Sequence, residues 1–214
     1  MSGDLWIGAD DDPDRIRMGA PVASGSEGVL YRAYVERPIG TEQIAVKMLQ
    51  PGHLDQLDQW TARWRDQVDL LRRVEAPGLV SVLGGFVGPL PHSRGNANND
   101  TSSLYLLMEW VEGVALDRWV QRLEAAEPER LLQALLPVAT ALDLLHSGVA
   151  TGGIPVLHGD VKPGNILIGP DGESVLVDVG SVRGMTGDSV ASGAGGTIGY
   201  IAPEVRATGR YAPP

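Results

Sequence analysis

The spacing of apolar residues changes along this chain, and that change limits the folds it can adopt. Over residues 15–50, three short runs rich in β-branched and aromatic residues alternate with turn-type segments, which predicts strands joined by hairpins. Over residues 53–75, apolar residues recur every three or four positions and predict one amphipathic helix, ended by Pro77 and Gly78. The runs 79–87 and 103–111 predict two further strands.

The second half of the chain has mainly helical spacing. A short helix is predicted from Leu116 and a longer one over residues 128–145, although Pro137 inside it removes a backbone hydrogen bond and predicts a kink. Residues 166–178 predict a hairpin that turns at "PDG". A strand-rich half with one helix, followed by a helix-rich half, predicts an α+β fold of two lobes.

These patterns predict three stretches of chain. Residues 1–14 are predicted to be an acidic tail, residues 15–112 a strand-rich lobe with the connection that follows it, and residues 113–214 a helical lobe. The polar, small-residue segment 89–103 is predicted to be a loop between two strands.

Composition argues against several classes of protein. The net charge of -10 and the pI near 4.8 argue against binding to the phosphate backbone of nucleic acids, and an anionic ligand would need local cations or metal ions. The absence of cysteine excludes disulfides. The N-terminus lacks the apolar segment of a signal peptide, and no apolar run approaches the roughly 20 residues that span a bilayer. We therefore expect a soluble, cytoplasmic protein.

Two features of the strand-rich half suit a phosphate-bearing ligand. The turn in "ASGSEGVLY", residues 23–31, consists of small residues that let backbone N–H groups approach phosphate oxygens. Lys47 lies between apolar residues in "IAVKML", where burying a lysine is costly unless an anion meets it. Taken alone, the turn could be an ordinary hairpin, and Lys47 could be a strand lysine whose amine extends to solvent.

The segment "VLHGDVKPGN" gathers an acid, a cation and an amide on one tight loop. Asp160 can orient or deprotonate a hydroxyl, and Lys162 can neutralise a phosphoryl group during its transfer. Asn165 offers a neutral oxygen to Mg²⁺, and Asp178, which follows the strand in "VLVDVG", offers a carboxylate. Each residue alone is more simply a loop or turn residue. Their combination predicts phosphoryl transfer, which needs positioning and charge neutralisation.

In this order the motifs resemble those of the eukaryotic-type (Hanks-type) serine/threonine protein kinases, which also occur in bacteria. The resemblance covers roughly residues 15–207 and implies a bilobal protein-kinase fold, ATP and Mg²⁺ as cofactors, and serine or threonine hydroxyls of proteins as substrates. It implies that Asp160 and Lys162 are catalytic and that Asn165 and Asp178 bind the metal. The residues that it assigns to the nucleotide are Ala23, Gly25, Gly28, Leu30, Ala45, Lys47, Met108, Glu109, Val111 and Leu167.

The resemblance also implies individual roles within that set. Lys47 matches the lysine that holds the α- and β-phosphates, and Met108 the gatekeeper. Backbone groups of Glu109 and Val111 are expected to meet adenine, with Ala45 and Leu167 on its two faces; a plain core position is the alternative for Leu167. The segment "GTIGYIAPE", with Thr197 and Glu204, resembles the substrate-facing end of the activation segment.

The chain departs from the family at the partner of Lys47. The family spacing places a glutamate of the predicted helix at the position occupied by Gln67, and a glutamine can hydrogen-bond a lysine but cannot neutralise it. Asp66 and Asp69 flank that position. On a helix, a shift of one residue turns a side chain by about 100°, so no ion pair is assigned to Lys47.

Further departures affect the second half. Gly159 replaces the arginine that precedes the catalytic aspartate in the family, which suggests control that does not depend on a phosphorylated activation loop meeting that arginine. Val179 replaces the phenylalanine of "DFG", and we expect it to pack inward still. His158 is interpreted as a packed residue beneath the loop.

The chain ends soon after Glu204, whereas family members continue through further helices, one of which carries a basic partner for that glutamate. We therefore interpret the chain as a C-terminally truncated kinase. Thr186, Ser189 and Ser192 lie where relatives are phosphorylated, but plain polar loop residues are the preferred interpretation.

Two other functions stay open from the sequence. A kinase-like small-molecule phosphotransferase commonly carries "HGD" followed by an asparagine, as this chain does, although Lys162 and "GTIGYIAPE" favour a protein kinase. A pseudokinase that binds nucleotide and signals by docking is favoured by Gln67 and by the early end of the chain. The presence of Lys47, Asp160 and the predicted metal ligands disfavours it.

Overall fold

The chain divides into two units, each built on sheets of its own. The computed structural model describes residues 4–25, 28–49, 57–122, 128–181, 183–184 and 197–208, with only the backbone described at 57–63, 181 and 183–184. The first unit comprises Met1–Arg72 and Val82–Trp110. The second comprises Arg73–Ser81 and Val111–Pro214. The short segment 73–81, which the sequence analysis assigned to the strand-rich lobe, thus belongs with the helical one.

A seven-stranded antiparallel sheet makes up most of the first unit. Its strand order is β5–β7–β4–β3–β2–β1–β6. The elements of this unit are β1 (Leu5–Ala9), β2 (Asp12–Gly25), β3 (Gly28–Arg37), β4 (Gly40–Leu49), α1 (Leu57–Leu71), β5 (Val82–Pro89), β6 (His92–Ser93) and β7 (Ser102–Glu109).

The sheet curls until its two edge strands come together. β5 ends at Pro89 on one edge, and β6 begins at His92 on the other, so the chain joins the two edges over a span of at most about 11 Å. Gly88 of β5 lies so close to Gly8 of β1 that a Cβ atom at Gly88 would overlap the Gly8 carbonyl oxygen. A glycine at this position therefore allows the curled sheet to close.

The interior of the curled sheet is filled by apolar side chains that we call the sheet core. Its members are Ile7, Ile16, Met18, Ala33, Val35, Ile44, Val46 and Tyr105. The hydroxyl of Tyr105 donates a hydrogen bond to the Pro89 carbonyl oxygen at 2.8 Å. Burial, and secondarily the nearby Tyr31, raises the pKa of the Tyr105 phenol, so the group stays a protonated donor.

The acidic tail predicted over residues 1–14 is wrong for the residues that the structure describes. Leu5–Ala9 form β1, which pairs with β2, and Ile7 is fully buried in the sheet core. The sequence hides this strand because it is only five residues long and leads into the acidic run 10–12, whose charges dominate the composition there. Burying an isoleucine contributes about 1.5–3 kcal/mol, which offsets part of the entropy lost when these five residues are ordered.

The segment 89–103, predicted to be a loop, contains a short strand that pairs with β1. His92 and Ser93 form β6 and pair with Trp6 and Leu5 of β1. The carboxylate of Asp14 anchors the segment, because it lies 3.1 Å from Nε2 of His92 and accepts a hydrogen bond of 2.8 Å from the Gly95 backbone N–H. Local composition could not reveal these contacts, since each joins residues about eighty to ninety positions apart.

Helix α1 is shorter than the predicted helix. It ends at Leu71, and residues 53–56 lie outside the described residues. Trp64, Val68 and Leu71 form its buried side. Val68 packs against β5, where a Cβ at Gly85 would be 2.8 Å from Val68 Cγ2. Val74 continues the apolar spacing after the helix but is buried as part of the second unit.

The second unit combines helices with two small sheets. Its elements are β8 (Val114–Ala115), α2 (Leu116–Val120), α3 (Pro128–His146), β9 (Val156–Leu157), β10 (Ile166–Ile168), β11 (Ser174–Leu176), β12 (Arg183–Gly184) and α4 (Pro203–Thr208), with 3-10 turns at Val149–Thr151, Pro163–Asn165 and Val179–Ser181. One sheet has the order β11–β10–β8, and β12 pairs with β9 in the other.

Helix α3 confirms the predicted longer helix, which continues through Pro137. Its buried residues are Ala134, Val138, Ala141 and Leu145, spaced three and four residues apart. The predicted hairpin is confirmed as β10 and β11, but its turn is five residues long, closed by a hydrogen bond from the Gly169 N–H to the Glu173 carbonyl. Among the helices of the described residues, none is long and apolar enough to cross a membrane.

Replacing Ile7 by alanine tests whether β1 is an integral part of the first unit. We expect the free energy of unfolding to fall by about 2–5 kcal/mol, because the substitution leaves a cavity in the sheet core. The measurement is urea unfolding followed by circular dichroism.

Ile39 provides the matched control, because it lies in the turn between β3 and β4 and is 97% exposed. Ile39→Ala should change the unfolding free energy by less than about 0.5 kcal/mol. Equal, small effects of the two substitutions would contradict the packing of β1 against the core.

Candidate active site

Five residues that the sequence assigns to nucleotide binding lie on one face of the seven-stranded sheet. Along β4, Ile44 and Val46 point into the sheet core, so Ala45 and Lys47 point to the opposite side. Lys47 is paired with Leu30 of β3, and Leu30 with Ala23 of β2, while Ala45 is paired with Met108 of β7. We call Ala23, Leu30, Ala45, Lys47 and Met108 the Lys47 face.

Lys47 itself is only 7% exposed. On α1, Gln67 comes three residues after Trp64 and four before Leu71. Both of these residues are buried, so Gln67 lies on the packed side of that helix. Asp66 and Asp69 are exposed. Both flanking acids therefore lie off the packed side of α1, and Gln67, a neutral side chain, lies on it.

The two glycines of the turn between β2 and β3 have different physical reasons to be glycine. Gly28 has a positive φ of 150° and lies so close to β4 that a Cβ atom would overlap the Met48 carbonyl oxygen. At Gly25 no atom of the described residues, apart from its chain neighbours, lies within 4 Å of the place where a Cβ would be. Packing within the chain thus explains Gly28, whereas no such contact among the described residues explains Gly25, where a backbone without a Cβ suits the approach of a ligand.

The remaining residues assigned to the nucleotide are Glu109 and Val111, near the end of β7, and Leu167 within β10. Glu109 is the last residue of β7. Val111, two residues later, is the first residue of the segment 111–214 of the second unit. On β10, Ile166 and Ile168 are buried, and Leu167 between them is half-buried on the other side of the strand. This alternation disfavours a plain core position for Leu167.

The loop after β9 contains a buried histidine and a glycine with a positive φ. His158 is 1% exposed, and its Nδ1 lies 3.4 Å from the Asp160 backbone nitrogen, which confirms it as a packed residue beneath the loop. Gly159 has a φ of 83°, a conformation that glycine adopts without the penalty other residues carry. The departure from the family at Gly159 is therefore compatible with the loop geometry.

The carboxylate of Asp160 accepts four hydrogen bonds. Oδ2 accepts from Lys162 Nζ at 2.7 Å and from Asn165 Nδ2 at 3.0 Å. Oδ1 accepts from the backbone N–H and the hydroxyl of Thr197 at 2.9 and 2.8 Å. Lys162 Nζ also donates to Thr197 Oγ1 at 2.6 Å, which closes the set into a ring. We call these four residues the Asp160 network.

The network keeps Asp160 ionised. Burial alone would raise the pKa of its carboxyl, but hydrogen bonds from Lys162 and Thr197, the positive charge of Lys162 and the hydrogen bond from Asn165 together hold that pKa below the ordinary value of 3.8. At neutral pH the group is thus a fixed, charged acceptor that can orient a hydroxyl.

Asn165 and Asp178 present oxygen ligands in the same part of the second unit. The amide nitrogen of Asn165 donates to the backbone and the side chain of Asp160, which leaves its amide oxygen as the acceptor for a cation. The backbone N–H of Val177 donates to the Asn165 carbonyl at 2.7 Å, so Asp178 follows directly from a residue bonded to Asn165. These oxygen donors suit Mg²⁺, which commonly takes one or two protein ligands together with phosphate oxygens.

The backbone at Asp178 is itself unusual. Its φ of 65° is the one positive φ of a non-glycine residue within the described part of the chain. Such conformations are sparsely populated and cluster at functional sites. Val179, which follows, is fully buried, so the prediction that it packs inward is confirmed.

The sequence located the segment around Thr197 but missed its contact with Asp160. The two residues are 37 positions apart, and no local pattern joins them. After Thr197, Ile198 and Tyr200 are exposed by 91% and 58%. Glu204 is exposed in α4. Thr186, Ser189 and Ser192 lie outside the described residues.

Comparison with known proteins agrees with this arrangement. The sequence profile of the protein kinase domain matches residues 17–214, nearly the whole chain. The chain belongs to the protein kinase family. The curled, strand-rich first unit and the helical second unit agree with that fold.

Individual relatives within the family come from distant organisms. The serine/threonine-protein kinase PknA of Mycobacterium tuberculosis is 30% identical over 204 residues, which are 94% of this chain and 43% of that protein. The L-type lectin-domain containing receptor kinase VII.1 of Arabidopsis thaliana is 28% identical over 88% of this chain and 26% of its own length. The dual specificity mitogen-activated protein kinase kinase mek-2 of Caenorhabditis elegans is 32% identical over 68% of this chain. The chain thus spans less than half the length of these relatives.

Replacing Thr197 by valine tests the Asp160 network. The valine removes one donor to the carboxylate, so we expect the pKa of Asp160 to rise toward its ordinary value. The measurement is a pH titration of the Asp160 carboxyl carbon by NMR. Thr197→Ser retains the hydroxyl and should titrate like the unchanged chain.

The same substitution should alter how stability depends on pH. Since the folded-state pKa of Asp160 is lowered, its stabilisation is fully present above the ordinary value of 3.8 and is lost as the pH falls through the folded value. In Thr197→Val this acid-dependent loss should become smaller. An unchanged titration would show that the hydroxyl contributes nothing to the network.

Proposed function

We propose that this chain is a kinase domain that transfers the γ-phosphoryl group of Mg-ATP to serine or threonine hydroxyls of proteins. The Asp160 network carries the proposal, because it fixes one ionised carboxylate next to a lysine and an exposed peptide segment. Family membership and the serine/threonine kinases among the relatives support it. Signalling as the purpose of the transfer and a cytoplasmic location belong to the same proposal.

Each member of the network has a separate task in such a transfer. Asp160 aligns the attacking hydroxyl and receives its proton, and its low pKa makes it a better aligning acceptor than a strong base. A loose phosphoryl-transfer transition state depends mainly on such alignment and on charge neutralisation. Lys162, held 2.7 Å from Asp160, supplies the positive charge next to the reacting oxygen atoms.

The cofactors would be held by residues already described. When bound, Mg-ATP supplies the phosphoryl group and a divalent charge. We propose that Asn165 and Asp178 provide oxygen ligands to the metal and that Lys47 provides a cation for the α- and β-phosphates. Leu30, Ala45 and Met108 of the first unit offer an apolar surface for an adenine ring, and Leu167 of the second unit is proposed for the ring on the resemblance alone. Among the described residues, none fills the space beside the Gly25 backbone, where phosphate oxygens are proposed to approach.

A protein substrate is favoured over a small alcohol by the segment after Thr197. Two hydrogen bonds and the Lys162 contact hold Thr197 to Asp160, while Ile198 and Tyr200 expose their apolar side chains one and three residues later. Exposed apolar residues this close to an aligned carboxylate suit the docking of a polypeptide. A small-molecule phosphotransferase has no need of such a segment.

A nucleotide-binding pseudokinase is the second candidate, and Gln67 is the observation that favours it. A neutral residue on the packed side of α1 offers Lys47 no opposite charge there. The intact Asp160 network favours catalysis, because a docking module has no use for a carboxylate held ionised by three neighbours.

Replacing Asp160 by asparagine separates these functions. We expect phosphate incorporation into the chain or a generic basic protein to fall about 10²- to 10⁴-fold, because an amide cannot accept the proton. Binding of Mg-ATP should remain. The measurements are mass spectrometry of the reaction products and calorimetric titration with Mg-ATP.

Two results would redirect the proposal. ATP binding without phosphate incorporation by the unchanged chain would favour the pseudokinase. Phosphorylation of an aminoglycoside-like or choline-like alcohol in place of protein would favour the small-molecule enzyme.

Replacing Gln67 by glutamate tests whether a negative charge at this position of α1 raises the transfer rate. A hydrogen bond between two charged groups is stronger than one with a neutral partner by about 1 kcal/mol, so we expect the transfer rate to rise about fivefold. The measurement is the steady-state rate with Mg-ATP. Asp66→Asn, which removes an exposed acid one position away, should leave the rate unchanged; a loss there would identify Asp66 as the acid that already serves Lys47.

A further inference from the structure

Three arginines of the first unit stack on aromatic rings. The guanidinium of Arg17 lies 4.6 Å from the Tyr34 ring centre, that of Arg94 lies 4.7 Å from Trp6, and that of Arg32 lies 4.3 Å from Trp110. The first pair joins β2 to β3, and the second joins β1 to the residue that follows β6. The third pair involves the residue that directly follows Glu109.

Arg32 belongs to the same side of the sheet as the Lys47 face. It is paired with Ala45 across β3 and β4, and Ala45 is paired with Met108 across β4 and β7. The three residues therefore form one transverse row, and their side chains point to the same side. A cation at this position is a neighbour of the residues assigned to adenine, although neither the resemblance nor the motifs give it a role.

Trp110 lies where the backbone leaves the sheet. The pairing of β4 with β7 ends at Ile44 and Glu109, so Trp110 is the first residue beyond the ladder. Its stack with Arg32 connects this residue to β3. The backbone on either side of Trp110 belongs to Glu109 and Val111, the residues proposed to meet adenine.

We infer that Arg32 is a positioning residue for nucleotide binding, which holds the adenine-contacting backbone in place by stacking on Trp110. The inference rests on the proposed function. Arg32 acts through Trp110 and the backbone beside it, with no contact of its own to the reacting atoms. Its loss should thus weaken nucleotide binding and leave the chemical step nearly unchanged.

Calorimetric titration of the whole chain with Mg-ATP and with adenosine tests this inference. Removing the stack in Arg32→Gln should weaken the binding of both ligands by about three- to tenfold, the range that a partly buried cation–π contact supports. KM for ATP should rise by the same factor and kcat should stay within about twofold. Arg32→Lys, which keeps a cation over the ring, should recover most of the affinity.

Adenosine separates positioning from plain charge attraction. If Arg32 only attracted phosphates, its loss would weaken ATP binding and leave adenosine binding unchanged, and this result would overturn the inference. Trp110→Leu keeps the charge and removes the ring, so it should weaken both ligands as Arg32→Gln does. The double variant should be no worse than either single one, because both substitutions remove the same contact.

Arg17→Gln is the matched control. It removes a stack of nearly equal geometry on the same sheet, on Tyr34, that does not involve Trp110. It should leave ATP and adenosine affinity unchanged, and thermal melting of each variant shows whether the fold is retained. An Arg32→Gln variant that binds and phosphorylates like the unchanged chain would overturn the inference while the proposed function stands. An unchanged chain that binds neither ligand would overturn both.

Discussion

The pairing register of β4 is the constraint on which the first unit depends. Ile44 and Val46 fill the sheet core, and Ala45 and Lys47 between them point to the other side, where they share rows with residues of β2, β3 and β7. A slip of one residue would place Lys47 in the core and Val46 on the Lys47 face. The closure of the sheet by β1 and β6 protects this register, because it buries Ile7 against the core that the alternate β4 residues build.

The second unit depends in a similar way on one carboxylate. Asp160 joins a backbone turn at Gly159, the amide of Asn165 and a segment 37 residues further along the chain. The same four hydrogen bonds that order these parts also hold the carboxylate ionised. Structural order and chemical readiness therefore have a common cause in this unit, and the loss of one donor affects both.

Much of the candidate site could be predicted from the sequence because its residues occur in short motifs. Asp160, Lys162 and Asn165 lie within six positions, and Lys47 is marked by the apolar strand around it. The predictions that were wrong concern contacts between distant parts of the chain. β1 and β6 are short, and their pairing joins residues about ninety positions apart, so no local period reveals them. The bond between Thr197 and Asp160 and the stack of Arg32 on Trp110 were missed for the same reason.

By itself the sequence determined the residue types of the site and the order of the longer strands and helices. These are properties of local spacing, which a single chain displays directly. Only the tertiary structure decided that Asp66 and Asp69 face away from the packed side of α1, that Gly28 serves the packing of β4, and that residues 5–9 complete the sheet. These features depend on contacts between residues far apart in the sequence. Such contacts form through core packing and hydrogen bonding only when the chain folds.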